Sequence, residues 1–147
     1  MKSAPSALRG RIRRGTVIFL RETDLDDGRY QGASKPKFCV VINLKPQEDP
    51  IIYLHSTSQI DPYSGGRWDA DILRIPKGSY PFFPEETIIS IRNHKQKTIT
   101  ELHNLEAKGQ LKICGALTEE HLRELNTKIR CSSMLPTKVI KKTALPE

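Results

Sequence analysis

The stretch Gln31-Gly32-Ala33-Ser34-Lys35-Pro36-Lys37-Phe38-Cys39-Val40-Val41-Ile42 joins a polar, glycine-bearing segment directly to an apolar run. A second junction joins Ile51-Ile52-Tyr53-Leu54 to the hydroxyl- and amide-rich Ser56-Thr57-Ser58-Gln59. Both apolar runs are rich in β-branched and aromatic residues and predict buried strands. We expect the polar segments to bring phosphate-binding and nucleophile-positioning groups to one edge of a small sheet.

The composition is that of a basic, single-domain protein. With 147 residues, 37% hydrophobic and 28% charged, the chain is long enough for one modest core and too short for two typical domains. Its formal net charge of +7 favours an anionic partner such as a phosphate chain. Many basic proteins are simply soluble, so the charge alone does not identify that partner.

The cysteines and the apolar segments indicate a cellular compartment. Cysteines stand at positions 39, 114 and 131 without CxxC spacing, and Cys39 lies inside an apolar run, where a thiol acts as a small hydrophobe. The four histidines show no metal-ligand spacing, and we expect no metal or other cofactor. No apolar stretch approaches the roughly 20 residues of a membrane span. We expect a reducing, cytoplasmic location and no membrane partner.

Short β-rich runs separated by turn signals predict an α+β, mainly β protein with a curved antiparallel sheet. The predicted strands are Thr16–Leu20, Lys37–Asn43, Ile51–Ser56, Asp71–Ile75, Thr87–Ile91 and Leu111–Cys114. Thr100 is predicted to cap a short helix that Gly109 closes, and Thr118 to cap an amphipathic helix reaching Arg130. Residues 1–14 are predicted to be a basic arm that buries little, residues 15–135 the domain, and residues 136–147 a tail.

The order of these segments resembles that of the PemK/MazF family of toxin endoribonucleases. The resemblance rests on Gly15-Thr16-Val17, on Gln31-Gly32 with Lys35-Pro36, on Ser56-Thr57-Ser58-Gln59, and on Gly115-Ala116-Leu117 before a terminal helix. It spans about Gly15 to Met134. It implies a small SH3-like antiparallel β-barrel of the CcdB/PemK type with a C-terminal amphipathic helix. It further implies a homodimer that cuts single-stranded RNA without metal and is held inactive by an antitoxin protein.

The resemblance also implies site residues. The family's arginine before the proline is Lys35 here, and its catalytic threonine is Thr57; an acidic residue before the glutamine is replaced by Tyr30. Lysine offers a mobile point charge where arginine offers a bidentate fork. Lys37 points to the same side as Lys35 on a strand. The remaining residues of this group are implied to hold RNA: Gln31, Gly32, Lys37, Ser58 and Gln59.

A general base is not evident in these segments, and His55 and Tyr30 are the two candidates. For His55 a plain strand position beside Tyr53 is the simpler interpretation. The other candidates also have simpler interpretations, because Lys35 is one of 24 Lys and Arg residues and strand-end hydroxyls are common. Gln31-Gly32 is equally compatible with an ordinary turn.

A second basic cluster, Arg92-Asn93-His94-Lys95-Gln96-Lys97, follows the predicted fifth strand and would suit a phosphate backbone. We predict RNA contacts for Arg92, Asn93 and Lys95, with a solvated loop as the alternative. Trp68 could stack on a base from a loop, whereas core packing is the commoner role of a tryptophan. Two further hypotheses concern the whole protein: an inactive RNA- or protein-binding module on the same fold, and a toxin with a protein target.

Overall fold

The computed structural model describes residues 5–21, 37–46, 48–58, 60, 63 and 66–145. Within these residues, six antiparallel strands form one sheet in the order β4-β5-β3-β2-β1-β6. The strands are β1 (Thr16–Leu20), β2 (Lys37–Val41), β3 (Ile51–Thr57), β4 (Ile72–Ile75), β5 (Thr87–Lys97) and β6 (Leu111–Ala116). The helices are α1 (Pro5–Arg9), α2 (Ile99–Ala107), α3 (Glu119–Arg130) and α4 (Thr137–Thr143), with a 3-10 helix at Gly66–Asp71. The prediction of an α+β, mainly β protein is confirmed.

The sheet is buried on both faces, which explains its continuous apolar runs. On one side, here called the α3 face, Val40 and Leu54 pack with Leu125 of α3 and Val139 of α4. On the other side, the α1 face, strand residues pack with Leu8 of α1 and Leu102 of α2. The buried strand residues of the α1 face are Ile18, Leu20, Cys39, Val41, Ile51, Tyr53 and Leu111. Because successive strand residues alternate between faces, each central strand contributes to both cores.

Helix boundaries follow the capping chemistry of the sequence. Thr118 is the N-cap of α3, as predicted, and its hydroxyl accepts a hydrogen bond from the His121 amide. The cap of α2 is Thr98, so the prediction of Thr100 is wrong. The Thr98 hydroxyl accepts from the Glu101 amide while the Glu101 carboxylate accepts from the Thr98 amide. That backbone hydrogen bond lowers the pKa of Glu101. None of the described helices is long and apolar enough to cross a bilayer.

The N-terminal segment is part of the core, and the expectation that it buries little is wrong for residues 8–12. Leu8 is 0% exposed and Ile12 is 2% exposed, both within the α1-face core. Ion pairs hold the segment from outside: Arg9 binds Asp49 at 2.9 Å, and Arg11 binds Glu106 of α2 at 2.7 Å. The segment is short and rich in arginine, so its sequence does not show that Leu8 and Ile12 are buried.

The C-terminal residues also pack on the domain, so the prediction of a tail is wrong for residues 137–144. Val139 of α4 belongs to the α3-face core, and Thr143 is 0% exposed. The half-buried Arg14 donates to the Thr143 carbonyl at 3.0 Å and to the Asn126 side chain at 2.8 Å. Burial lowers the pKa of this guanidinium.

The docking of α1 can be tested by truncating its buried leucine. We expect Leu8→Ala to lower the free energy of unfolding by about 2–5 kcal/mol, because it removes a fully buried side chain and leaves a cavity. The matched control is Leu145→Ala, whose side chain is 49% exposed and which should change stability by less than about 0.5 kcal/mol. Urea unfolding measures both variants. Equal effects would contradict the docking of α1.

Candidate nucleic-acid interface

Strand β5 is the element that shapes the candidate site. Ser56 pairs with Ile89 and Leu54 pairs with His94, so two steps along β3 correspond to five along β5 and leave three extra residues in β5. Such a bulge bends a strand and re-aims its side chains. The Ser90 hydroxyl accepts from the Arg92 amide at 3.2 Å inside this bulge. The basic cluster was predicted to follow the fifth strand, and that position is wrong, because residues 92–97 belong to β5 itself.

The α1 face changes from apolar to polar along the strands. On β3, Ile51 and Tyr53 are fully buried, whereas His55 and Thr57, further along the same face, are half-buried. On the antiparallel neighbour β2, Cys39 is buried and Lys37 is exposed. Cys39 pairs with His55, so both strands become polar towards the same end of the sheet. We call this polar end of the α1 face the open strip.

Thr57 and Lys37 lie on adjacent strands in this open strip. The Ser56 hydroxyl donates to the Phe38 carbonyl at 2.6 Å, so β2 and β3 stay adjacent beyond their last ladder pair. Continuing the register from Cys39 opposite His55 places Lys37 opposite Thr57. Directly opposite side chains on one face of an antiparallel pair lie roughly 5 Å apart at their Cβ atoms. A lysine ammonium and a threonine hydroxyl can therefore contact the same phosphate.

Lys37 and Thr57 begin a row of paired residues that runs across the sheet, and this cross-strand row continues over two more strands. Thr57 pairs with Ile88 of β5, and Ile88 pairs with Arg74 of β4. Paired residues share a face, so Arg74 lies on the same face as Thr57 at about 10 Å, two interstrand steps away. Lys95 pairs with Tyr53 and is exposed, and it adds a further cation to the same face.

His55 lies within the open strip, beside Tyr53 on the same face of β3. Its ring centroid is 5.9 Å from that of Tyr53, with the two planes tilted by 35°. This arrangement fits the simpler interpretation of His55 as a strand residue packed beside Tyr53. Within the described part of the chain, no group of three or more His, Cys, Asp or Glu side chains could hold a metal ion.

An aromatic and arginine cluster borders the open strip at the β5 bulge. The Arg92 guanidinium carbon lies 4.3 Å from the Trp68 ring centroid, and that of Arg67 lies 5.1 Å from it. Tyr63 meets the same indole edge-on, with ring centroids 6.3 Å apart. The 3-10 helix that carries Trp68 has no buried residue. The expectation that this tryptophan packs in the core, as most tryptophans do, is therefore wrong. We call Trp68 with Arg67 and Arg92 the indole platform.

The indole platform is held in place from two sides of the β4 edge. Arg74 donates to the Tyr63 carbonyl and, at 3.3 Å, to the Asp69 carboxylate. Lys128 of α3 donates to the Asp69 carbonyl at 2.5 Å. These bonds tie the 3-10 helix both to the sheet and to α3, so the position of the indole is set before any ligand arrives.

A separate polar cluster lies at the start of α3 and has a structural role. The Tyr80 hydroxyl accepts from the Thr118 amide at 2.9 Å and lies 2.6 Å from Nδ1 of His121. These contacts satisfy groups that the first turn of a helix leaves unpaired. Tyr80 stacks on Phe82, and a Cβ atom at Gly115 would lie 2.7 Å from the Phe82 ring. The glycine of Gly115-Ala116-Leu117 is thus explained by close packing.

The structure places only part of the residues predicted from the sequence. Lys37, Ser58, Arg92 and Lys95 are exposed, Thr57 is half-buried, and the backbone of Asn93 belongs to β5. The other predicted residues lie outside the described residues: Tyr30, Gln31, Gly32, Lys35 and Gln59. Sequence reasoning missed Arg67 and Arg74. The only signal for Arg67 was its position beside Trp68, and Arg74 lay within a predicted strand.

The comparisons with known proteins add no assignment to this geometry. No protein-family model matches the chain, and no curated protein matches it. The likeness to PemK/MazF toxins therefore rests on the order of the sequence motifs.

The anchoring of the indole platform can be tested through the single tryptophan of the chain. We expect Arg74→Ala to shift the Trp68 emission to longer wavelength, towards that of the unfolded protein, because the 3-10 helix loses its bonds to β4. Far-UV circular dichroism should stay unchanged. The control is Arg123→Ala, an exposed residue of α3, which should leave the emission unchanged. An Arg74→Ala spectrum identical to that of the wild type would contradict this anchoring.

Proposed function

We propose that this protein is a metal-independent, sequence-selective endoribonuclease of the PemK/MazF type that binds single-stranded RNA along the open strip. The observation that carries the proposal is that the strand register puts Thr57 and Lys37 at one end of the α1 face, with the cations Arg74 and Lys95 on the same face of neighbouring strands. A hydroxyl among cations is suited to a phosphodiester, since the phosphate needs both charge neutralisation and hydrogen bonds.

In the proposed reaction the ribose 2′-oxygen attacks the adjacent phosphorus, and the bond from phosphorus to the 5′-oxygen of the next nucleotide breaks. The 2′-hydroxyl proton is taken up by a base, a 2′,3′-cyclic phosphate forms, and the departing 5′-oxygen takes a proton from solvent water. Lys35, assisted by Lys37, stabilises the negative charge that develops on the phosphoryl oxygens. Thr57 donates a hydrogen bond to one of these oxygens. His55, on the same face of β3, is the described side chain chemically best suited to accept the proton.

The same proposal extends to fold type and partners. The bend of β5 between two neighbouring strands supports an SH3-like barrel, because small barrels curl through such bulges. We propose a symmetric homodimer, since a groove across two copies doubles the length of RNA that is held. As a toxin, the protein would be neutralised by an antitoxin that covers the basic open strip.

Cleavage assays in EDTA test the catalytic roles. We expect Lys35→Ala to slow cleavage of single-stranded RNA by roughly 10²-fold or more, because it removes charge stabilisation of the transition state. Thr57→Val keeps the β-branched shape and deletes only the hydroxyl, so activity should fall while the fold survives. Lys35→Arg should maintain or raise the rate because it restores a bidentate group.

The control variant is Lys141→Ala on α4, which removes an exposed cation from the opposite side of the sheet and should leave the cleavage rate unchanged. If the wild-type and Lys35→Arg proteins both bind RNA but cut none of it, the nuclease hypothesis is wrong and the protein is an inactive RNA-binding module. If the protein neither binds nor cuts RNA, the remaining hypotheses are a toxin with a protein target and a protein-binding module.

A further inference from the structure

The indole platform has the composition of a nucleobase site. Trp68 is half-buried in a helix with no buried residue, and two guanidinium groups lie within about 6 Å of its ring, the reach of a cation–π contact. The Arg67 and Arg92 side chains are both exposed. Exposed guanidinium–indole contacts are weak and can be exchanged for a stronger stacking partner.

We propose that Trp68 is the stacking site for one unpaired base of the RNA, and that Arg67 and Arg92 turn from the indole to the flanking phosphates when the base binds. This inference rests on the proposed RNA-binding function and adds to it a base-binding position. The indole contributes a π-face that any base can use, and the arginines contribute charge-assisted hydrogen bonds.

The position of the platform relative to Thr57 supports this role. Arg92 lies in the β5 bulge, and the Arg74 that holds the platform belongs to the same cross-strand row as Thr57. The row separates Arg74 from Thr57 by two interstrand steps, about 10 Å. A nucleotide next to the phosphate at Thr57 would therefore extend towards the β4 edge, where Arg74 holds the 3-10 helix that carries Trp68.

Two acidic side chains, Asp69 and Asp71, lie in the 3-10 helix near the cations of the indole platform. Asp69 is engaged by Arg74 at 3.3 Å, and Asp71 ends the helix. Arg67 and Arg92 are the cations in contact with the indole, with Lys95 further along β5. Because the carboxylate of Asp69 points to Arg74, the platform keeps a cationic side on which phosphate can bind.

Tryptophan emission reports only on the indole platform, because Trp68 is the only tryptophan of the chain. The probe is a random-sequence 2′-O-methyl RNA of ten nucleotides, whose blocked 2′-oxygen prevents cleavage. We expect quenching of the Trp68 emission that saturates at the same RNA concentration as the fluorescence anisotropy of a labelled copy. An abasic oligomer with the same backbone should bind more weakly and should not quench.

Variants separate stacking from general attraction. Trp68→Ala should weaken binding of the probe by about 10-fold, the loss expected for one stacked base. Trp68→Phe keeps an aromatic face and should retain most of the affinity. The control Lys141→Ala should change the affinity by less than about twofold, since it removes only one remote charge. Circular dichroism verifies that each variant keeps its sheet.

The outcomes distinguish this inference from the proposed function. RNA that binds and is cut, without quenching and with equal affinity for Trp68→Ala, would overturn the stacking site alone. An anisotropy signal that never changes would overturn both the stacking site and RNA binding. Quenching by the abasic oligomer as strong as by the probe would also overturn the stacking site, because the base would then play no part.

Discussion

The bulge in β5 is the constraint on which the rest of the sheet depends. Its three extra residues allow one long strand to pair with β4 and β3 at its start and with β3 alone at its end. The sheet bends at this point, and Arg92 is brought against the indole of Trp68. Without the extra residues β5 would run straight beside β3. The arginine would then follow the regular alternation of the strand and lose its position at the β4 edge.

The second determinant is the partial cover of the α1 face. Helices α1 and α2 bury Tyr53, Val41 and Ile18, and the same strands continue into Lys37, His55 and Thr57. The apolar half of each strand stabilises the sheet through burial, and the polar half is then held in fixed register at little additional cost. A site built on strands in this way is more rigid than one built on a loop. Catalysis of phosphoryl transfer depends on such positioning.

Much of the sheet could be predicted from the sequence because its signals are local. Continuous β-branched runs predicted the strands, and β1 has the predicted bounds Thr16–Leu20. Thr118 was predictable as a cap from the acidic residues that follow it. The second half of β5 was not predictable, because Arg92 to Lys97 is polar throughout and forms a strand only through its pairing with β3. The short helices α1 and α4 were missed for a related reason. The burial of Leu8 and Val139 depends on tertiary contacts, which the local sequence does not show.

The candidate site shows the same division. Thr57 was named from the resemblance to the toxin family and Lys37 from its sharing a strand side with Lys35, whereas the position of both on one end of the α1 face follows only from the β2–β3 register. The indole platform could not be predicted, because it depends on hydrogen bonds from Arg74 and from the distant Lys128 to Asp69 of the 3-10 helix. Residue types near Trp68 suggested either core or surface, and only the tertiary contacts decide between them.

The central claim is that RNA binds along the open strip and the indole platform. Two-dimensional NMR of the labelled protein, titrated with a non-cleavable 2′-O-methyl RNA, tests it most directly. The account predicts the largest shifts for the Trp68 indole N–H and for the amides of Lys37, Thr57, Arg92 and Lys95, with little change at Lys141. Shifts concentrated on α3 and α4, or none at saturating RNA, would contradict it.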